Sequence, residues 1–225
     1  MINNIMQNTR FGDYFYTIIV PSIFVTIKIV LISAFFSILL GLFLGSILIL
    51  TSEDGLNPNK IIYSIIDKFT NLIRGFPTLI LIIALGPLTR LVVGTAVGTN
   101  AAIFSITIAC TPFATRMTEN SLKTVNETTI KAAISFGAKK SQVIKDIMLS
   151  EALPNLISNF TIMLINMLNV TALAGAVGAG GLGAVALTYG YQQYDNVIMY
   201  FIVILLIIFV LLIEKLNKIL YKILK

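Results

Sequence analysis

The stretch from Tyr14 to Leu50 runs for 37 residues with a single charge, Lys28, and a single proline, Pro21. A bilayer crossing takes about 20 consecutive apolar residues in a helix, so this run exceeds one crossing. In hydrocarbon every backbone N–H and C=O must be satisfied within the chain, and a lone apolar run achieves that only as a helix. Four further apolar runs follow it. Charged residues make up only 12% of the chain and hydrophobic ones 57%, where a soluble domain carries about 25% charged. The expectation is an all-α integral membrane protein, one domain over residues 1–225, with five transmembrane helices near 25–50, 76–93, 101–118, 156–177 and 196–213.

Local signals refine the runs. Met1–Asp13 is polar and reads as short and mobile, and an interfacial lead-in precedes the first span. No cleavable signal peptide is expected, because the first apolar run is too long for one and follows no basic cluster. Lys28 is placed to snorkel towards the headgroups. Gly41 and Gly45 give a small-xxx-small spacing that lets two helices approach closely. Thr51–Lys60 is dense in turn formers, and Ile61–Arg74 reads as an amphipathic helix carrying Asp67, Lys68 and Arg74. Pro87 is expected to kink the far end of span two, and Pro112 to break span three, which is expected to continue as helix beyond Arg116. Gly178–Tyr194 reads as a Gly/Tyr-rich connection, and Glu214–Lys225 as a basic tail.

Orientation follows from the cations. Of 16 Lys and Arg residues, Lys60, Lys68, Arg74, Arg116, Lys123, Lys131, Lys139, Lys140, Lys145, Lys215, Lys218, Lys222 and Lys225 share one side of a five-span chain. Arg10, Lys28 and Arg90 lie towards the other. The positive-inside rule then gives N-out, C-in and places residues 126–154 in the cytoplasm, between spans three and four. The net charge of +6 is explained by this topology, and no nucleic-acid partner is expected. The chain has no histidine and one cysteine, Cys110, which excludes a disulfide scaffold, a Cys/His metal site and a Ser–His–carboxylate triad. No catalytic or metal-binding residue is expected.

The loop at 126–154 is the longest polar interval. Asn126 is a suitable N-cap for a helix reaching Phe136, and Gly137 suits its left-handed end. A second helix is expected from Ser141, with Val143, Ile144, Ile147 and Met148 on one face. Pro154 is expected to interrupt the chain before span four. Ile134, Phe136 and Ala138 around the turn can fill a groove on another protein. An amphipathic loop resting on headgroups fits the same pattern.

The residues KAAISFGAKKSQVIKDIMLSEALP resemble the EAA loop of binding-protein-dependent ABC importer permeases. Ala132, Ala133, Gly137, Ile147 and Leu149 stand at that pattern's positions, while Lys131 replaces its Glu and Ser150 its Pro. GAVGAGGLGAVALTYGYQQYDNVIM, RGFPTLILI, PLTRLVVGT and PFATRMTENSL are similar, in order and spacing, to methionine-importer permeases. The resemblance covers about residues 20–220. It implies a five-span homodimer in a prokaryotic cell membrane, paired with two copies of a cytoplasmic ABC ATPase and an extracytoplasmic substrate-binding lipoprotein or exported protein. It implies coupling to the ATPase through Ala132, Ala133, Ile134, Phe136, Gly137, Ala138, Ile147 and Leu149. ATP and Mg would be bound by the partner, with no cofactor in this chain.

Other motifs carry less. Gly178–Gly183 spells G-x-G-x-x-G, but it follows a span rather than a strand and lacks the acidic residue about 20 positions on that a dinucleotide site needs. A glycine turn or close helix crossing explains it, and the resemblance adds that Gly178, Gly180 and Gly181 line or close the outer end of the pathway. GAKKS lacks the full phosphate-loop pattern, so ATP hydrolysis requires another chain. Arg90 suits an interfacial anchor or a gate. Asn166 and Asn169, one helical turn apart, with Thr171, form a polar strip that contacts substrate, a gate or a neighbouring helix. Tyr189, Tyr191 and Tyr194 read as an interfacial belt, or as a dock for the binding protein. The function expected is the transmembrane subunit of an ATP-driven amino-acid importer for methionine. The alternatives are another amino acid or small peptide as cargo, or an ATP-independent channel or scaffold.

Overall fold

The computed structural model describes residues 11–224, which contain helices and no strand. Arg10, Lys225 and Met1–Arg10, the bulk of the expected mobile segment, lie outside the described residues. A short helix (Phe11–Tyr14) and a π-helical turn (Phe15–Ile19) lead into α1 (Val20–Thr51). Then come α2 (Lys60–Gly75), α3 (Thr78–Ala84), α4 (Gly86–Val93), α5 (Thr99–Leu122) and α6 (Glu127–Ser135). A short turn (Lys140–Gln142), a π-helical segment (Val143–Met148) and another turn (Leu149–Glu151) connect to α7 (Leu153–Gly175). After α7 come α8 (Gly181–Val185), a π-helical segment (Ala186–Gln192) and α9 (Asn196–Leu224). Among the described residues, three helices are long and apolar enough to cross a membrane: Phe15–Thr51, Leu153–Gly175 and Asn196–Ile223.

Several elements differ from expectation. The first helix starts ahead of residue 25: Pro21 lies inside one continuous helical run, directly after the π-helical turn Phe15–Ile19, the kind of local widening that accompanies a residue with no N–H to donate. As expected, the chain is interrupted just before span four: Leu149–Glu151 ends at the turn residue Ala152, and Pro154 sits in the first turn of the helix that follows, α7. The stretch 76–93 is not one helix: α3 and α4 meet at Leu85, because Pro87 cannot donate to the carbonyl four residues back. Pro112 does not break α5, which continues to Leu122. In a membrane protein, packing against neighbouring helices offsets the bond that such a proline removes, and α5 meets α1 two residues on, at Ala114. The basic tail is helical and belongs to α9.

The chain divides into two compact units. One gathers the residues up to Phe35, Pro77–Ala109 and Leu164–Ile213. Its apolar centre is Ile19, Leu182, Val185, Ile198 and Ile202. Tyr189 is half-buried and packs there at 5.0 Å from the Tyr14 ring; Tyr191 and Tyr194 are exposed. Asp195 caps α9, its Oδ1 accepting from the backbone of Val197 and Ile198.

The other unit gathers Phe36–Phe76, Cys110–Met163 and Glu214–Lys225. Its apolar cluster joins Leu122, Val125, Val143, Ile144, Met148, Ala152 and Leu156, with Leu42, Ile49 and Leu50 against it. Gly41 faces Ala114 and Gly45 faces Thr118, so α1 and α5 run parallel there at close approach. Tyr63 meets Glu119, and Asp67 meets Arg116, so α2 runs antiparallel to α5. Asn159 donates to Ser121 Oγ and Asn155 to Thr124 Oγ1, both at 2.8 Å, so α7 is antiparallel to α5 as well.

Helix α2 is amphipathic, as its sequence predicts, but it faces the opposite way from a helix on a soluble protein. Ile61, Ile65, Phe69 and Leu72 point outward, while Tyr63, Asp67 and Asn71 meet α5. That inversion suits a hydrocarbon surrounding, where apolar residues lose nothing by exposure and polar ones need protein partners.

Candidate functional site

The stretch from Asn126 to Leu149 forms a helix, a glycine turn and a second helical segment. Asn126 Oδ1 accepts from the Thr128 N–H at 2.9 Å and from Thr128 Oγ1 at 2.7 Å, an N-cap that satisfies one orphan donor of α6. At the other end Gly137 adopts φ +85°. The Ala138 N–H donates to the Ala133 carbonyl and the Gly137 N–H to that of Ile134. This is the Schellman pattern, whose left-handed residue favours glycine. Replacing Asn126 with alanine is expected to lower stability by about 1 kcal/mol, read as a lower thermal midpoint of the purified chain.

Lys131, standing where the resembled pattern has Glu, pairs with Glu127 one turn earlier at 2.9 Å. The hydrogen bond from Lys131 holds Glu127 below the usual carboxylate range, and Glu127 raises the Lys131 ammonium in return. A depressed carboxylate stabilises above its unfolded pKa and loses that contribution as pH falls through its folded value. The pair is therefore fully ionised at neutral pH, and the Lys131 charge has a local counter-charge.

The loop residues divide between two faces. Ala133, Ala138 and Leu149 pack against the cluster around Val143, Ile144 and Met148, so they hold the loop in place. Ala132 and Gly137 are exposed and Ile147 is half-buried. Ile134 and Phe136 project outward, Phe136 at 92% exposure. The second segment departs from the expected α-helical face: Val143–Met148 is π-helical, and Val143, Ile144 and Met148 are its buried residues. Hydrogen bonds spanning five residues instead of four bring Met148, rather than Ile147, under Val143. Lys140 Nζ donates to Asn57 Oδ1 at 3.3 Å, linking the turn to the loop before α2.

The remaining expected residues lie apart from this loop. Arg90 is exposed in the last turn of α4. Asn166 and Asn169 are exposed on α7, in line with Ile162 and Leu173. Thr171 does not share their face; it is buried and donates to the Leu168 carbonyl at 2.7 Å. Gly178, Gly180 and Gly181 all have positive φ. The Gly178 carbonyl accepts from the Gly98 N–H at 3.0 Å, and a Cβ on Gly181 would stand 2.7 Å from Thr26 Oγ1. Thr26 Oγ1 also accepts from the Leu182 N–H at 2.8 Å. The glycines are there for close backbone approach to α1 and to the loop before α5.

An ion network between α2 and α5 was not legible in the sequence. Glu119, with its side chain 1% exposed, accepts from Arg116 at 2.6 Å and from Lys123 at 2.7 Å. Arg116 also pairs with Asp67 and donates to Asn71 Oδ1 at 3.0 Å. The i,i+3 and i,i+4 spacing of residues 116, 119 and 123 is visible locally. Their link to residue 67 is not.

Residues 37–225 match the family described as binding-protein-dependent transport system inner membrane component. The probable D-methionine transport system permease protein MetI of Vibrio cholerae is 39% identical over 192 residues, covering 85% of each chain. The methionine import system permease protein MetP of Bacillus subtilis is 39% identical over 168 residues, covering 75% of this chain and 76% of its own. A solved inward-facing structure of the MetNI methionine ABC transporter aligns with a TM-score of 0.92 at 34% identity, over 94% of this chain and 98% of that one.

Proposed function

The chain belongs to the family of binding-protein-dependent transport system inner membrane components, and we propose that it is the membrane-spanning subunit of an ATP-driven importer whose cargo is methionine. The observation that carries the reading is the helix–glycine–helix loop with outward-facing Ile134 and Phe136, at the position of the family's coupling loop. Similarity over most of the chain to methionine permeases supports the cargo.

In this reading the whole chain is one permease domain in a prokaryotic cell membrane and crosses it five times, N-out and C-in. Support comes from the cation distribution and from the helix directions: α1 parallel to α5, α2 and α7 antiparallel to it. Two copies enclose the pathway, and lipid covers the outward apolar faces. A binding lipoprotein or exported protein delivers the amino acid. Two copies of a separate ATPase bind ATP and Mg and carry out the hydrolysis; this chain supplies no catalytic residue. Closure of the ATPases moves the loop, whose outer residues Ala132, Ile134, Phe136 and Gly137 sit in their grooves. Ala133, Ala138 and Leu149 brace it from behind, and Ile147 lies half-buried at its edge. The rearrangement exposes the pathway to alternate sides.

The stripe of Ile162, Asn166, Asn169 and Leu173 is assigned to the pathway, because two amides on an open face of an apolar helix are costly against lipid. Arg90 is assigned to its outer mouth, and Gly178, Gly180 and Gly181 to the tight turn that closes that end.

The test is reconstitution into proteoliposomes with the ATPase and binding protein, with and without L-methionine. Methionine uptake in step with ATP turnover is expected. Turnover without methionine uptake would discard the cargo and keep the importer. Phe136→Asp should abolish co-purification of the ATPase without lowering the chain's thermal midpoint, since an exposed side chain is replaced. An ATPase that still binds fully to this variant and to Ala133→Asp would remove the loop from the coupling role.

A further inference from the structure

Helix α2 has little apolar attachment to its unit. Among its described residues only Thr70 is buried, and Ile61, Ile65, Phe69 and Leu72 face away from the protein. Its recorded side-chain ties to α5 are polar: Tyr63 Oη to Glu119 at 3.3 Å, Asp67 to Arg116, and Asn71 to Arg116 at 3.0 Å. Arg74 adds a cation–π contact, 5.8 Å above the Phe113 ring. Helix α5, by contrast, is anchored by tight packing on α1 and by Asn155 and Asn159 of α7. Four residues beyond its end at Leu122, the Asn126 cap starts α6.

We infer that Arg116 is a positioning residue that makes α2 follow α5, and with it the coupling loop, through a fork of hydrogen bonds rather than through apolar packing. Guanidinium geometry suits this task. One nitrogen grips Glu119 on its own helix and the other reaches Asp67 and Asn71 on α2; a lysine ammonium is a point charge without that fixed fork. The charges balance within the set, with Arg116 and Lys123 against Asp67 and Glu119. The attachment is therefore directional, and its charged link can be loosened without emptying the core, leaving the Tyr63, Asn71 and Arg74 contacts in place. The inference about transport rests on the coupling reading above; the attachment of α2 does not.

Asp67 is the link to cut, because Arg116 then keeps Glu119 and no buried charge is orphaned. In the reconstituted complex, Asp67→Asn should leave ATPase association and basal hydrolysis within about twofold while lowering methionine taken up per ATP by about tenfold. Asp67→Glu should restore at least half of the coupling. Independently of transport, hydrogen exchange on the full chain in lipid nanodiscs should show residues 60–75 exchanging about fivefold faster in Asp67→Asn, with residues 127–135 unchanged. Unchanged exchange in 60–75 would overturn the inference whatever the transport assay shows. Faster exchange with uptake per ATP intact would overturn its role in coupling. Absence of any ATP-driven uptake in the parent complex would instead sink the importer reading, leaving the exchange measurement to decide the attachment of α2.

Discussion

Gly41→Ala is expected to destabilise the folded chain, although the same change in an isolated helix is favourable by about 1 kcal/mol. A Cβ built on Gly41 stands 2.4 Å from the Ala114 Cβ and 2.8 Å from the Ala114 carbonyl carbon. One turn on, a Cβ on Gly45 stands 2.6 Å from the Thr118 Cβ and 2.8 Å from the Thr115 carbonyl oxygen. Both helices present small residues in a four-residue repeat, so their backbones touch and neither can yield by changing a rotamer. Accommodating even one methyl means separating α1 from α5. Overpacking of this kind costs about 1–3 kcal/mol, and more for a branched side chain, so the packing term outweighs the propensity gain. Thermal midpoints of the detergent-purified chain check the sign: Gly41→Ala should lower the midpoint, and Gly41→Val should abolish a monodisperse species. A raised midpoint for Gly41→Ala would show that the helices do not meet at this register.

Arg116→Met is expected to cost about 3 kcal/mol or more. The Glu119 side chain is 1% exposed and that of Arg116 12%. Removing the guanidinium leaves Glu119 with Lys123 and Tyr63, leaves Asp67 with the Asn71 amide but no cation, and leaves Asn71 Oδ1 without its donor. A buried ion pair contributes little against a well-packed neutral set, but removing one partner leaves the remaining charges under-compensated, Glu119 with one cation instead of two and Asp67 with none. The loss should therefore belong to these carboxylates. Arg116→Met combined with Asp67→Asn and Glu119→Gln should recover most of the thermal midpoint. If the triple variant is as unstable as the single one, the arginine stabilises by packing its stem rather than by neutralising charge.

How much was legible follows from the range of each signal. The apolar runs and the helix ends are local. Asn126 and Gly137 act on backbone within three or four residues, so their roles as cap and turn can be read along the chain. The outward Ile134 and Phe136 follow from the same periodicity. Pro112 misled because the cost of a proline depends on what compensates the lost hydrogen bond, and neighbouring helices are not visible in sequence. Asn166, Asn169 and Thr171 read as one strip, but packing buried Thr171 and left the two amides open. The packing of Tyr189 on Tyr14 was not legible, because the lead-in to α1 lies far from it in the chain.

The sequence by itself determined that the chain is helical, that it belongs in a membrane, and that one patterned polar loop is presented as a helix–glycine–helix unit. Each of these rests on backbone hydrogen bonding and solvation of contiguous residues. The tertiary structure alone decided which helix Gly41 and Gly45 meet, which way α2 faces, and that Arg116 reaches an aspartate 49 positions away. A buried charge finds its partner through the pairing of helices, and that pairing is set by steric fit between faces distant in the sequence.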